Sequence, residues 1–167
     1  MASVPLTPGA AAPAVPGSII TAACFLVLGA AAQVVASILG WIHALSPERA
    51  VVLQRQLDTG DSTLSLEGLR NAGVITVVLA GICTVLAYLL FAFFMTKGRS
   101  WARTATAVLF VLTLSQLVGI VFPGGYTTIV QIIAGAAAVV LSRRPASRQY
   151  FDTMKAIRAE SRLSSAG

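Results

Sequence analysis

A chain of 167 residues with 56% apolar residues, 11% charged residues and a mean hydropathy of +0.83 is too greasy for a water-soluble domain. Twelve Lys and Arg against six Asp and Glu leave a net charge of +6. Two cysteines and one histidine exclude a disulfide-rich scaffold and any CxxC redox centre.

The chain opens with residues 1–17, in which VPLTPG and APAVPG are rich in Pro, Ala and Gly and carry no charge. That composition predicts a disordered lead-in. Four apolar segments follow: 18–45, 72–95, 102–122 and 126–141. None contains Asp, Glu or Lys, and the only Arg within them is Arg103. A bilayer core about 30 Å thick takes roughly 20 helical residues, so the first three segments are long enough to span. The fourth reaches about 24 Å and spans with slight local thinning. The first segment is not a cleaved signal peptide on this reading, since nothing basic precedes it and it exceeds the usual apolar run of about 7–15 residues.

Within the first span, Ala32, Ala36 and Gly40 repeat every four residues, and the second repeats Ala72, Thr76, Ala80 and Thr84. Small residues at this interval let helix backbones approach closely, so both stripes are expected to be packing faces. Trp41 and His43, at the end of the first span, are expected to anchor it at the headgroups.

Residues 46–71 form an outer loop that starts with Ser46 and Pro47, a helix-start signal. Val51, Val52, Leu53 and Leu57 give a short amphipathic helix on the membrane surface, stopped by Gly60. The stretch LDTGDS resembles an aspartic-protease loop in letters only, because Asp58 and Asp61 share one short turn and that mechanism needs two apposed carboxylates. The second span is expected to begin near Asn71.

KGRSWAR, residues 97–103, separates the second and third spans. Gly98 is placed to end one helix, Ser100 to cap the next, and Trp101 to sit at the headgroups. Arg103, in the first turn, opposes the helix dipole, a conflict that a lipid phosphate would relieve. PGGY predicts a tight turn that makes the last two spans an antiparallel hairpin. In the tail, residues 142–167, Pro145 interrupts the helix and Ser147 is placed to cap a new one. Tyr150, Met154, Ile157 and Ser161 share one face of it, flanked by Lys155, Arg158 and Arg162. This reads as a basic amphipathic helix on anionic lipid, with partner docking as the alternative.

Cations near the ends of short loops stay cytoplasmic. Residues 97–103 and the tail together hold nine cations against two carboxylates, whereas residues 46–71 hold three against four. The expected fold is therefore an all-α integral membrane bundle of four transmembrane helices with both termini inside.

Candidate chemistry is sparse. Cys24 and Cys83 lie at different membrane depths and are expected to be buried, unpaired thiols. Gln33, Gln116 and Gln131 are the strongest polar groups inside the spans and are expected to face the bundle. No ionisable residue lies deep in a span, which argues against a proton-coupled carrier.

GRSWAR before the third span and RPASRQYF after the fourth are together similar to motifs of small four-helix membrane proteins of high-GC Gram-positive, actinobacterial type. The resemblance implies a four-span topology and a plasma-membrane address, and it supplies no catalytic residues. Both motifs fall on the cytoplasmic face, so contact between loop and tail is expected, with Trp101 against Tyr150 or Phe151 and an Arg stacked between.

The expected function is non-enzymatic, with no cofactor and no metal: an accessory subunit or scaffold. Its partners would be the lipid bilayer, anionic lipids, other membrane proteins or a second copy, and not nucleic acid. The binding residues would be Lys97, Arg99, Trp101, Arg103, Arg143, Arg144, Arg148, Tyr150 and Phe151. The alternatives are an oligomeric transporter or channel lined by the Gln-bearing helices and, more distantly, a lipid-handling enzyme using the outer acidic loop.

Overall fold

A computed structural model describes residues 13–60, 65–115 and 125–164. All regular structure among them is helical: α1 (Gly17–Ala44), α2 (Pro47–Thr59), α3 (Leu66–Thr96), α4 (Ser100–Ser115), α5 (Gly125–Ser142) and α6 (Pro145–Ser164). Three of these, α1, α3 and α5, are long and apolar enough to cross a membrane. The described part of α4 has 16 residues, about 24 Å at 1.5 Å per residue. The remainder of the expected third span, with Gln116 and the first half of the PGGY turn, lies outside the described residues, as do residues 1–12 of the lead-in.

Local chemistry sets the helix ends. Pro16, extended at ψ 142°, stands just before α1. At the far end, Ser46 precedes Pro47 and is held extended, and its hydroxyl accepts from the Arg49 N–H at 3.3 Å to start α2. Ser65 does the same for α3, accepting from the Gly68 N–H at 3.1 Å. The second long helix therefore starts at Leu66 rather than near Asn71, and the expected outer loop is mostly α2 and the first turn of α3. The Arg70 guanidinium donates to the Leu45 carbonyl oxygen at 2.9 Å, tying the start of α3 to the end of α1.

α1 packs on α3 and α5, and α4 packs on α5 and α3, which closes a ring of four antiparallel neighbours. Its widest wedge is Tyr88, 1% exposed, whose ring lies against Gly29 of α1. The Thr113 hydroxyl already donates to the Leu109 carbonyl, so the 3.3 Å contact between Tyr88 Oη and Thr113 Oγ1 has Tyr88 as donor. Tyr88 thereby touches three of the four helices.

The small-residue stripe of α1 is a packing face: Ala32 is buried, Ala36 and Gly40 half-buried. The α3 stripe is not. Ala72, Thr76 and Ala80 are exposed, and the seam runs instead through Val77 beside Gly40, Gly81 beside Ser37, and Tyr88. The thiols also differ from expectation, since Cys24 and Cys83 are both exposed on outward helix faces. A small side chain in an apolar run carries no facial information when both faces are greasy.

Candidate functional site

The end of the bundle where α3 meets α4 holds the densest set of long-range polar contacts. α3 stops in a Schellman turn: the Gly98 N–H donates to the Met95 carbonyl (3.1 Å) and the Arg99 N–H to the Phe94 carbonyl (3.1 Å). Gly98 takes φ +66°, as expected of a helix-ending glycine, and is buried. Ser100 is the first residue of α4 and not its cap.

α6 lies across this end and fastens to each of the four bundle helices. Ser147, fully buried, donates its hydroxyl to the Leu141 carbonyl of α5 at 2.9 Å. That proton is then committed, so Ser18 of α1 is the donor in the 2.9 Å contact between the two serine oxygens. Tyr150 donates to the Thr96 carbonyl of α3 at 2.9 Å. Phe151, 1% exposed, lies beneath the Arg103 guanidinium of α4, 5.3 Å from its centroid. Further along, Arg158 donates to the Gly98 carbonyl.

Ser147 therefore does not cap α6, which begins at Pro145, a residue suited to a first helical position because it has no N–H to lose. The contact expected between loop and tail is present with different partners. Trp101 turns away from the tail and packs on Phe91 and Phe94, at centroid distances of 5.9 and 5.1 Å. Arg99 stacks on Phe94 at 5.2 Å and Lys97 on Phe93 at 5.5 Å. Arg143, Arg144 and Arg148 are exposed beside them. Ser18 and Thr96 had no motif to announce them, and three of the hydrogen bonds that fasten α6 end on backbone carbonyls, which leave no mark in the sequence.

Two concavities differ in character. One, about 330 Å³ and open, lies between α1 and α3 and is lined by apolar residues such as Val34, Ile38 and Ile82. The other, about 380 Å³, lies between α4, the end of α5 and the start of α6; Ser100, Arg103, Thr104, Ser142, Arg143 and Arg148 face it.

The intramembrane amides separate. Gln131 is buried on α5 at 2% exposure, while Gln33 is half-buried and donates to the neighbouring Ser37 hydroxyl at 3.3 Å. On α2, Asp58 accepts from the Gln54 amide at 2.9 Å, one helical turn earlier. Glu48 has its carboxyl held below the usual range by its own backbone N–H and by the Ser46 hydroxyl. Among the described residues, no three His, Cys, Asp or Glu side chains come together in a way that could hold a metal ion. No family model, curated protein or solved structure matches the chain.

Proposed function

We propose that this chain is a non-enzymatic protein of the plasma membrane with four spans and both termini in the cytoplasm. It serves as an accessory subunit or scaffold whose basic end engages anionic lipid or a membrane partner. In this reading the segment 102–122, of which α4 is the described part, is the third of the four spans.

The observation that carries the reading is the fastening of α6 across the bundle end. It keeps Arg143, Arg144 and Arg148 of the tail beside Lys97, Arg99 and Arg103 of the loop. Cations at one surface of a multi-span protein mark the cytoplasmic side, and each adds about 1 kcal/mol of attraction to an anionic leaflet. The flanks support a membrane setting: Ile20, Leu28, Ile75, Leu79, Leu86 and Val111 all point outward, an apolar surface too extensive for water.

Two measurements test it. In cells expressing the chain with Cys24 and Cys83 replaced by Ala, Gln56→Cys on α2 should react with an impermeant maleimide added outside, and Lys155→Cys on α6 should be protected until the membrane is opened; the reverse pattern would overturn the orientation. In nanodiscs containing phosphatidylglycerol, charge reversal by Lys97→Glu with Arg99→Glu should lower retention of that lipid on extraction. Unchanged retention would reject the basic face as its binding surface.

A further inference from the structure

The 380 Å³ cavity beside the α6 fastening is lined by arginines and hydroxyls. Ser100, Arg103 and Thr104 come from the first turn of α4, at positions i, i+3 and i+4 of one helix face. Arg143 enters from just beyond α5 and Arg148 from the first turn of α6. Three arginines line it, and no carboxylate is among the lining residues.

Arg103 sharpens this. Its Nε is shut off from solvent and has no hydrogen-bond partner, while its guanidinium carbon lies 5.3 Å from the centre of the Phe151 ring. A buried charged donor without an acceptor costs free energy unless a ligand supplies one. The Ser142 hydroxyl already donates to the Val139 carbonyl at 2.8 Å, which leaves Ser100 and Thr104 as hydroxyls able to turn inward.

Arginines arriving from α4, from the link after α5 and from α6 suit a tetrahedral group with several acceptor oxygens better than a flat carboxylate. The positive end of the α4 dipole adds to the same preference. The volume falls within the range of small-ligand sites, about 300–1,000 Å³.

We infer that this cavity binds a single phosphate group, carried by an anionic lipid headgroup or by a small soluble phosphate ester. The inference rests on the basic-face reading and narrows that face to one site. Arg103, Arg143 and Arg148 supply the charge, and Ser100 and Thr104 supply neutral donors.

The test uses the full chain in nanodiscs of phosphatidylcholine alone or with phosphatidic acid. Native mass spectrometry counts retained lipid, and calorimetry in the phosphatidylcholine discs titrates glycerol 3-phosphate. One saturable phosphatidic acid, or one glycerol 3-phosphate, is expected, and the arm that binds identifies the source. Arg143→Gln with Arg148→Gln should weaken that binding roughly tenfold or more, as for loss of charge-assisted hydrogen bonds. Both side chains are exposed, so an unchanged melting curve is expected to accompany the loss. Thr104→Val, which alters no charge, should weaken it too. Lys155→Gln with Arg162→Gln, both exposed, removes the same charge outside the cavity and should leave it unchanged. Equal loss in the two double variants would overturn the site while leaving the basic face standing. No saturable binding in either arm would overturn the site outright, and bulk retention of phosphatidic acid that survives in that case keeps the broader reading alive.

Discussion

Tyr150 donates its phenolic hydroxyl to the main-chain carbonyl of Thr96 at 2.9 Å, joining the tail helix to the last turn of α3. The carbonyl belongs to the last residue of a helix, where no N–H further along the helix is available to it. Removing the hydroxyl should therefore loosen one fastening without disturbing the spans. Tyr150→Phe is expected to cost about 1 kcal/mol, the net worth of one such bond, read as faster amide exchange in α6 with the bundle amides unchanged.

Gly98→Ala should act more strongly at the same place. The residue sits at φ +66°, and an added Cβ would come within 2.8 Å of Met154 Cγ and 3.0 Å of the Tyr150 ring. Left-handed strain and the collision together are expected to cost about 1–3 kcal/mol and to raise α6 from the bundle end. Limited proteolysis checks it: cleavage in the tail should appear at protease levels that leave the parent chain intact.

The seam between α1 and α3 predicts a different pattern. A Cβ at Gly29 would meet the fixed ring of Tyr88 at 2.9 Å, and one at Gly81 would collide with the Ser37 side chain, whereas Gly73 has open space around it. Gly29→Ala and Gly81→Ala should each lower stability by about 1–3 kcal/mol through overpacking. Gly73→Ala, mid-helix, should raise it by roughly 0.5–1 kcal/mol. Thermal melting in detergent orders the three.

Much of this frame was legible in the letters. Long apolar runs bounded by charge announced α1, α3 and α5, and the Ser46–Pro47 pair announced α2. The first turn of α3 was hidden because Glu67, Arg70 and Asn71 look like loop residues; one caps the dipole and another reaches Leu45. The α3 stripe was misread because Ala and Thr recur in more than one register, while the contact residue Gly81 and the large Tyr88 choose the true one. At the tail, a shared membrane face made contact predictable, but side-chain pairing does not follow from that. Trp101 had closer aromatic neighbours in Phe91 and Phe94, and Ser147 was worth more bridging α1 and α5 than capping α6.

The start of α2 carries a pH prediction. The Glu48 carboxyl lies below its ordinary range because its own backbone N–H and the Ser46 hydroxyl donate to the charged form. A carboxyl lowered on folding supports the helix above its unfolded value, about 4.3, and withdraws that support as pH falls through its folded value. Protection of the first-turn amides of α2, taken relative to their intrinsic exchange rate at each pH, should fall on acidification below that range and not between pH 6 and 8. Ser46→Ala should remove the cap at a cost of about 1 kcal/mol and blunt the acid response.

The fastening of α6 to the bundle is tested most directly by a disulfide across its shortest side-chain bridge. Ser18 and Ser147 have their hydroxyl oxygens 2.9 Å apart, so cysteines at both positions lie within reach of a strain-tolerant S–S bond. With Cys24 and Cys83 replaced by Ala, Ser18→Cys with Ser147→Cys should oxidise within one molecule in native membranes, and adding Gly98→Ala should lower the yield. Absence of an intramolecular bond, or a yield no higher than that of Ser18→Cys paired with the exposed Lys155→Cys, would contradict the docked tail and the basic face built on it.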